Sequence, residues 1–128
     1  MHLLLDTHAL LWWLADDPEL GIRARAIVAN TSNTVFVSAA SAWEIATKFR
    51  LGKLSAAANL ADNFAARIEH EGFWPLPISV DHATRAGMLP GPHKDPFDRM
   101  LIAQAQAENL ALVSNEAAFD RYGVRRIW

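Results

Sequence analysis

A chain of 128 residues is the size of one domain, residues 1–128, and 52% apolar residues let it bury a real core, which argues against disorder. The absence of cysteine excludes disulfides, thiolate zinc sites and cysteine nucleophiles, and it fits a reducing, cytoplasmic setting. A formal net charge of −2 argues against nucleic-acid binding by global charge, so any such contact must be local, with metal offsetting acid.

The N-terminal run Met1-His2-Leu3-Leu4-Leu5 has no basic n-region and stops at Asp6, so it reads as a first strand, Leu3–Leu5, and not as a signal peptide. No apolar run approaches the roughly 18 residues of a membrane span. Thr7 is the expected cap of a helix beginning near His8, with an apolar face of Leu10, Leu11, Trp13 and Leu14. Asp16-Asp17-Pro18 ends it. Ile22–Asn30 predicts a second helix and Val35–Val37 a second strand. A helix over Ser41–Leu51 stops at Gly52, and another over Asn59–Glu71 stops at Gly72. Leu76–Ser79 predicts a third strand and Asp81–Leu89 a short helix. After the loop 90–94 come a helix over Pro96–Asn109, a fourth strand over Leu110–Val113, a short helix over Glu116–Tyr122 and a last strand over Val124–Trp128. Strands alternating with helices predict an α/β fold with a mainly parallel sheet of about five strands flanked by helices.

In such a sheet the carboxyl ends of the strands share one edge, and ligands bind there. Asp6 follows strand one. Glu44 is expected in the first helical turn after strand two, Asp98 in the first turn of the helix before strand four, and Glu116 just after strand four. Four acids from distant parts of the chain thus map to one edge. Like charges gathered without a partner are costly, so a divalent cation is their natural companion. Oxygen donors with no soft ligand suit Mg²⁺ or Mn²⁺, and such an ion can activate water and hold a phosphodiester oxygen.

Each acid taken alone is more often structural. Ser41-Ala42-Trp43-Glu44 is a capping box by sequence, and Asp95 before Pro96, with Asp98 three residues on, reads as a second cap. Asp95 is therefore assigned to capping, with a supporting place beside the site. Asp6 resists that reading because Thr7 is the better cap. His8, His82 and His93 have no metal-binding spacing and read as surface or structural. Lys48, Arg50, Lys53 and Arg99 read as a solvated face that gains interest only by flanking the acids, where they could hold phosphate. Five tryptophans are many for this length. Most are expected in the core, with one of the adjacent Trp12 and Trp13 exposed for a partner.

Taken in order, Leu4-Leu5-Asp6-Thr7-His8, Ser41-Ala42-Trp43-Glu44-Ile45-Ala46, Asp95-Pro96-Phe97-Asp98-Arg99 with Leu101–Ala105, and Leu112-Val113-Ser114 with Phe119-Asp120 resemble the PIN-domain ribonucleases, and more narrowly the VapC-type toxins of type II toxin–antitoxin pairs. The resemblance spans nearly the whole chain. It implies a PIN-like three-layer fold and a Mg²⁺-dependent endoribonuclease, with Mn²⁺ able to substitute. The family's acids fall on Asp6, Glu44, Asp98 and Glu116. The last departs from the usual Asp, and Ser114 stands two residues before it in place of the usual Thr. The resemblance further implies an RNA substrate, a homodimer and inhibition by a cognate antitoxin. The chain carries no DNA-binding motif, so operator DNA would be reached only through the antitoxin. Two rival readings are a small-molecule phosphohydrolase, which needs a closed pocket and lid, and a non-catalytic interaction module, which has no need of the retained acids.

Overall fold

The apolar run at the N-terminus forms the central strand of the sheet. A computed structural model describes residues 1–54 and 58–128 and places β1 (His2–Leu5) between β2 (Thr34–Ser38) and β4 (Ala111–Val113). β3 (Trp74–Leu76) lies outside β2 and β5 (Arg126–Ile127) outside β4, giving the order β3-β2-β1-β4-β5 with every pairing parallel. The chain winds outward from β1 in one direction and then in the other, so the order reverses between β1 and β4. That reversal opens a crevice at the carboxyl edge.

Alternation along the strands divides the core in two. Leu3 and Leu5, with Val35, Val37, Val113 and Ile127, face one layer of helices: α1 (Thr7–Leu14), α2 (Ile22–Ala29), part of α3 (Ala39–Arg50) and α5 (Phe64–His70). Leu4 and Leu112 face the other way, under Leu101, Ile102 and Ala105 of α7 (Pro96–Glu108) and under Phe119. α6 (Val80–Met88) packs against α7. The result is the expected three-layer α/β arrangement. Among the described residues no helix is long and apolar enough to cross a membrane.

Several element ends differ from expectation, each for a local reason. Asp6, not Thr7, caps α1: its Oδ1 accepts from the Ala9 N–H at 2.7 Å. Helix α3 begins at Ala39, because Ser38 closes β2 and caps the helix in the same residue, accepting from the Ala40 N–H at 2.9 Å. The Ser41–Glu44 capping box is therefore absent, and Glu44 sits in the second helical turn. The single helix expected over Asn59–Glu71 is two, α4 (Ala58–Asp62) and α5, because Asn63 adopts a non-helical ψ of 37°. The third strand lies earlier than expected, at Trp74–Leu76, and Ser79 instead caps α6 in a capping box with His82. The short helix after β4 is a 3₁₀ turn over Ala117–Tyr122 capped by Glu116. Helix α7 meets expectation, with Asp95 as cap and Pro96 in its first turn. Its C-cap, Asn109, takes the left-handed conformation at φ 54°.

The tryptophans also depart from expectation. None is fully buried, and Trp12 and Trp13 are both half-buried against neighbours within the chain. Trp12 packs on Trp128, and the Trp13 Nε1–H donates to Glu71 Oε1 at 3.0 Å. The exposed pair is Trp43 and Trp74.

Candidate active site

The crevice at the carboxyl edge is a small cleft of about 110 Å³ lined by Asp6, Thr7, His8, Glu44, Lys48, Asp95, Asp98, Asn115 and Glu116. All four acids expected to converge do so, together with Asp95. They reach the cleft from four separate segments, and two internal contacts set their relative positions. Thr7 Oγ1 donates to Glu44 Oε1 at 2.6 Å and approaches Ser41 Oγ at 3.1 Å, joining α1 to α3. The fully buried Gln104 of α7 accepts from Ser38 Oγ at 2.5 Å and donates to the Pro77 carbonyl at 3.2 Å. Gln104 thus pins the start of α3 to α7, and with it the spacing between Glu44 and Asp98.

Asp6 is buried, and that burial pushes its carboxyl above the usual range. The Ser114 hydroxyl, the Ala9 N–H and nearby His8 oppose the shift, while Glu44 adds to it. Asp98 is pushed up to about 6, again chiefly by burial, with Asp95 and Glu44 adding negative charge. Against this, His93 Nε2 lies 2.9 Å from Asp98 Oδ2. Asp98 Oδ1 takes no hydrogen bond among the described residues. Glu44 is buried, and its Oε2 pairs with Lys48 Nζ at 2.5 Å.

Asp95 and Glu116 are exposed, and both act as caps. Asp95 Oδ1 accepts from the Phe97 and Asp98 N–H groups at 2.9 and 3.1 Å, as expected for a capping residue. Glu116 Oε1 accepts from the Ala118 N–H at 3.2 Å, while its own N–H donates to Ser114 Oγ at 2.9 Å. Glu116 borders the cleft from its solvent side.

Sequence reasoning missed four features. Thr7 was assigned to capping, yet its hydroxyl orients Glu44, and the signal was its place directly after Asp6. His93, read as surface or structural, holds an oxygen of Asp98 and has its ring between Phe119 and Tyr122. Arg99, considered as a phosphate holder, turns inward instead. Its guanidinium donates to the carbonyls of Ala86, Gly87, Leu89 and His93, clamping the 89–95 loop. Asn115 lines the cleft with no motif to announce it.

The donor set suits a hard divalent cation. Every candidate ligand is a carboxylate oxygen, and two of the acids are held against the cost of their own charge. Among the described residues, no three of His, Cys, Asp and Glu are drawn together tightly enough to hold an ion by themselves. Uncompensated carboxylates repel, and Mg²⁺ commonly takes only one or two of them and keeps several waters, so a spread set of acids around a cleft is compatible with it.

A family model described as a PIN domain matches residues 3–125. Ribonuclease VapC16 of Mycobacterium tuberculosis is 48% identical over 62 residues, which are 48% of this chain and 43% of that protein, so the match spans less than half of that relative's length. The fold is similar to VapBC2 from Rickettsia felis, solved bound to a DNA fragment from its promoter, with a TM-score of 0.70 and 19% identity over 99% of this chain and 98% of that one. It is also similar to VapBC-1 from nontypeable Haemophilus influenzae, with a TM-score of 0.66 and 13% identity over 99% and 97% of the two chains.

Proposed function

The chain belongs to the PIN-domain family, and from that premise we propose that it is a VapC-type, metal-dependent endoribonuclease, the toxin of a type II toxin–antitoxin pair. The observation that carries this reading is the meeting of Asp6, Glu44, Asp98 and Glu116 in one cleft at the point where the strand order reverses. Asp6, Glu44 and Asp98 would hold Mg²⁺, or Mn²⁺ in its place, with Glu116 reaching the ion from the rim. When bound, the ion supplies Lewis acidity at a phosphodiester oxygen and lowers the pKa of water.

The chain's own residues prepare that site. Helix α1 holds Asp6 by its N-terminus, so its carboxylate is fixed before any ligand arrives. Thr7 and Lys48 occupy both oxygens of Glu44 and keep that buried charge satisfied. Lys48 lies half-buried at the cleft, and once metal takes over the charge of Glu44 its ammonium would be released to meet a backbone phosphate. The cleft is far smaller than the roughly 300–1,000 Å³ pockets that enclose small ligands, which favours a large substrate presenting one phosphodiester over a small-molecule phosphohydrolase. Capping α1 accounts for one oxygen of Asp6 but not for burying its charge beside Glu44, which favours catalysis over a silent scaffold.

The partner expectations follow from the same reading: a cognate antitoxin that blocks the cleft, a homodimer, operator DNA through the antitoxin, and action in the cytoplasm. Asp6→Asn and Asp98→Asn test the site. Each is expected to abolish Mn²⁺-dependent RNA cleavage while melting at or above the wild-type temperature, because each relieves clustered charge. Full activity in either variant overturns the assignment.

A further inference from the structure

We propose that Trp43 is a stacking platform for an unpaired base of the RNA, set at the rim of the acid cleft and continued by Arg50 on the same helix stripe. The proposal rests on the endoribonuclease reading and names how the substrate is gripped. Trp43 is 59% exposed. Single exposed aromatics are ordinary, so its position is what matters. It precedes Glu44 on α3, and the ring it touches, Phe97, precedes Asp98 on α7. The two rings meet edge-on, with centroids 4.8 Å apart at 77°. The aromatic pair therefore bridges the two acid-bearing helices beside the cleft. Whichever ring presents its edge, at least one indole face remains uncovered by Phe97. Contact with Phe97 also restrains the side chain, so a base that stacks on it orders little that is not already ordered.

The outward stripe of α3 runs Trp43, Ala46, Arg50, all exposed, at spacings of three and then four residues. Ala46 is too small to cover the indole. Arg50 lies about 10 Å along the axis from Trp43, and the exposed Lys53 follows. A stacking surface followed by cations along one line is the pattern that binds single strands, whose bases are free to splay out. With a net charge of −2 the chain has no global attraction for RNA, so contact must come from local cations such as these or from metal at the acids. Of these residues Lys53 alone argues against a second copy of the chain as the occupant, because lysine is depleted at protein interfaces whereas tryptophan and arginine are enriched there, so oligomeric mass is part of the test.

The test measures binding of a labelled, unstructured mixed-sequence RNA in Ca²⁺, with duplex RNA of equal length as control, and cleavage in Mn²⁺. Trp43→Ala is expected to weaken single-strand binding about tenfold, as loss of one stacked base does, and to raise KM while kcat holds. Duplex binding should not change. Trp43→Phe should recover most of the loss. Trp43→Phe keeps a ring against Phe97 and should melt near wild type, while Trp43→Ala loses that edge contact and should melt slightly lower, so the Phe variant separates stacking from packing. Unchanged single-strand affinity in Trp43→Ala, with wild type still cleaving RNA, overturns the platform and leaves the nuclease reading standing. A fall in oligomeric mass on light scattering also overturns it and assigns Trp43 to a contact between copies. A tenfold loss of binding in a protein that never cleaves RNA keeps the platform and sinks the nuclease reading. A wild type that does not bind RNA overturns both.

Discussion

The charge state of Asp98 links the site to stability. Its carboxyl titrates at about 6 in the folded chain against an ordinary 3.8, chiefly because burial penalises the anion. Between those values the folded protein holds a proton that the unfolded chain has released. The stability contributed this way is fully present below about 3.8 and is lost as pH rises through about 6. In metal-free protein, Asp98→Asn should therefore gain in melting temperature relative to wild type as pH goes from about 5 to about 7. A difference that stays constant across that window sinks the account. The neighbouring Asp95 separates capping from catalysis. Asp95→Ser keeps an oxygen for the Phe97 and Asp98 N–H groups, so it should retain much of the activity and nearly all of the stability, whereas Asp98→Ser should be inactive. An inactive Asp95→Ser beside an active Asp98→Ser would put the ligand on the wrong residue.

At the scale of elements, the least obvious device is the loop between α6 and α7. The last carbonyls of a helix lack intrahelical partners, and here Arg99 takes those of Ala86, Gly87 and Leu89 and then that of His93. A planar guanidinium can span these acceptors, and an ammonium cannot. Arg99→Ala should cost about 2 kcal/mol, read as a lower urea midpoint at unchanged slope. Arg99→Lys should recover less than half of it. Both should also lower cleavage, because His93 is released from Asp98. A stable Arg99→Ala with full activity would show the clamp to be idle. This device was hidden in the sequence because an arginine beside an aspartate looks like a solvated pair until the loop's carbonyls are placed. The strands were legible because short apolar runs between turn residues have few alternatives; β3 was misplaced because Trp74-Pro75-Leu76 has neither alternation nor a full set of N–H donors. Glu44 was found at the correct edge for an incorrect reason. The helix starts at Ala39 rather than Ser41, and the added residues carry Glu44 from the first turn to the second, where it still faces Thr7.

At the scale of the whole molecule, the convergence of acids was legible because parallel topology alone sends strand ends to one edge. The compensation of their charge was not, since it depends on contacts such as Thr7 to Glu44 and His93 to Asp98. That compensation is partial. Five carboxylates line the cleft, with Lys48 and His8 as its only cationic or titratable basic side chains among the described residues. A partner that inserts an arginine there would gain paired, charge-assisted hydrogen bonds to carboxylates already held in place, and would occupy the position of metal and substrate phosphate together. An antitoxin acting this way should co-purify as a tight complex when its gene is co-expressed, and the chain expressed alone should impair growth. Asp98→Asn removes half of such a pair, a change that costs about 2–5 kcal/mol in comparable buried pairs, so the variant should lose antitoxin at least tenfold faster than wild type. It should do so although its fold is unharmed and its own stability is raised. Equal dissociation from wild type and variant would place the antitoxin elsewhere on the surface, and a chain that is harmless in cells with no co-purifying partner would defeat the toxin reading while leaving the fold intact.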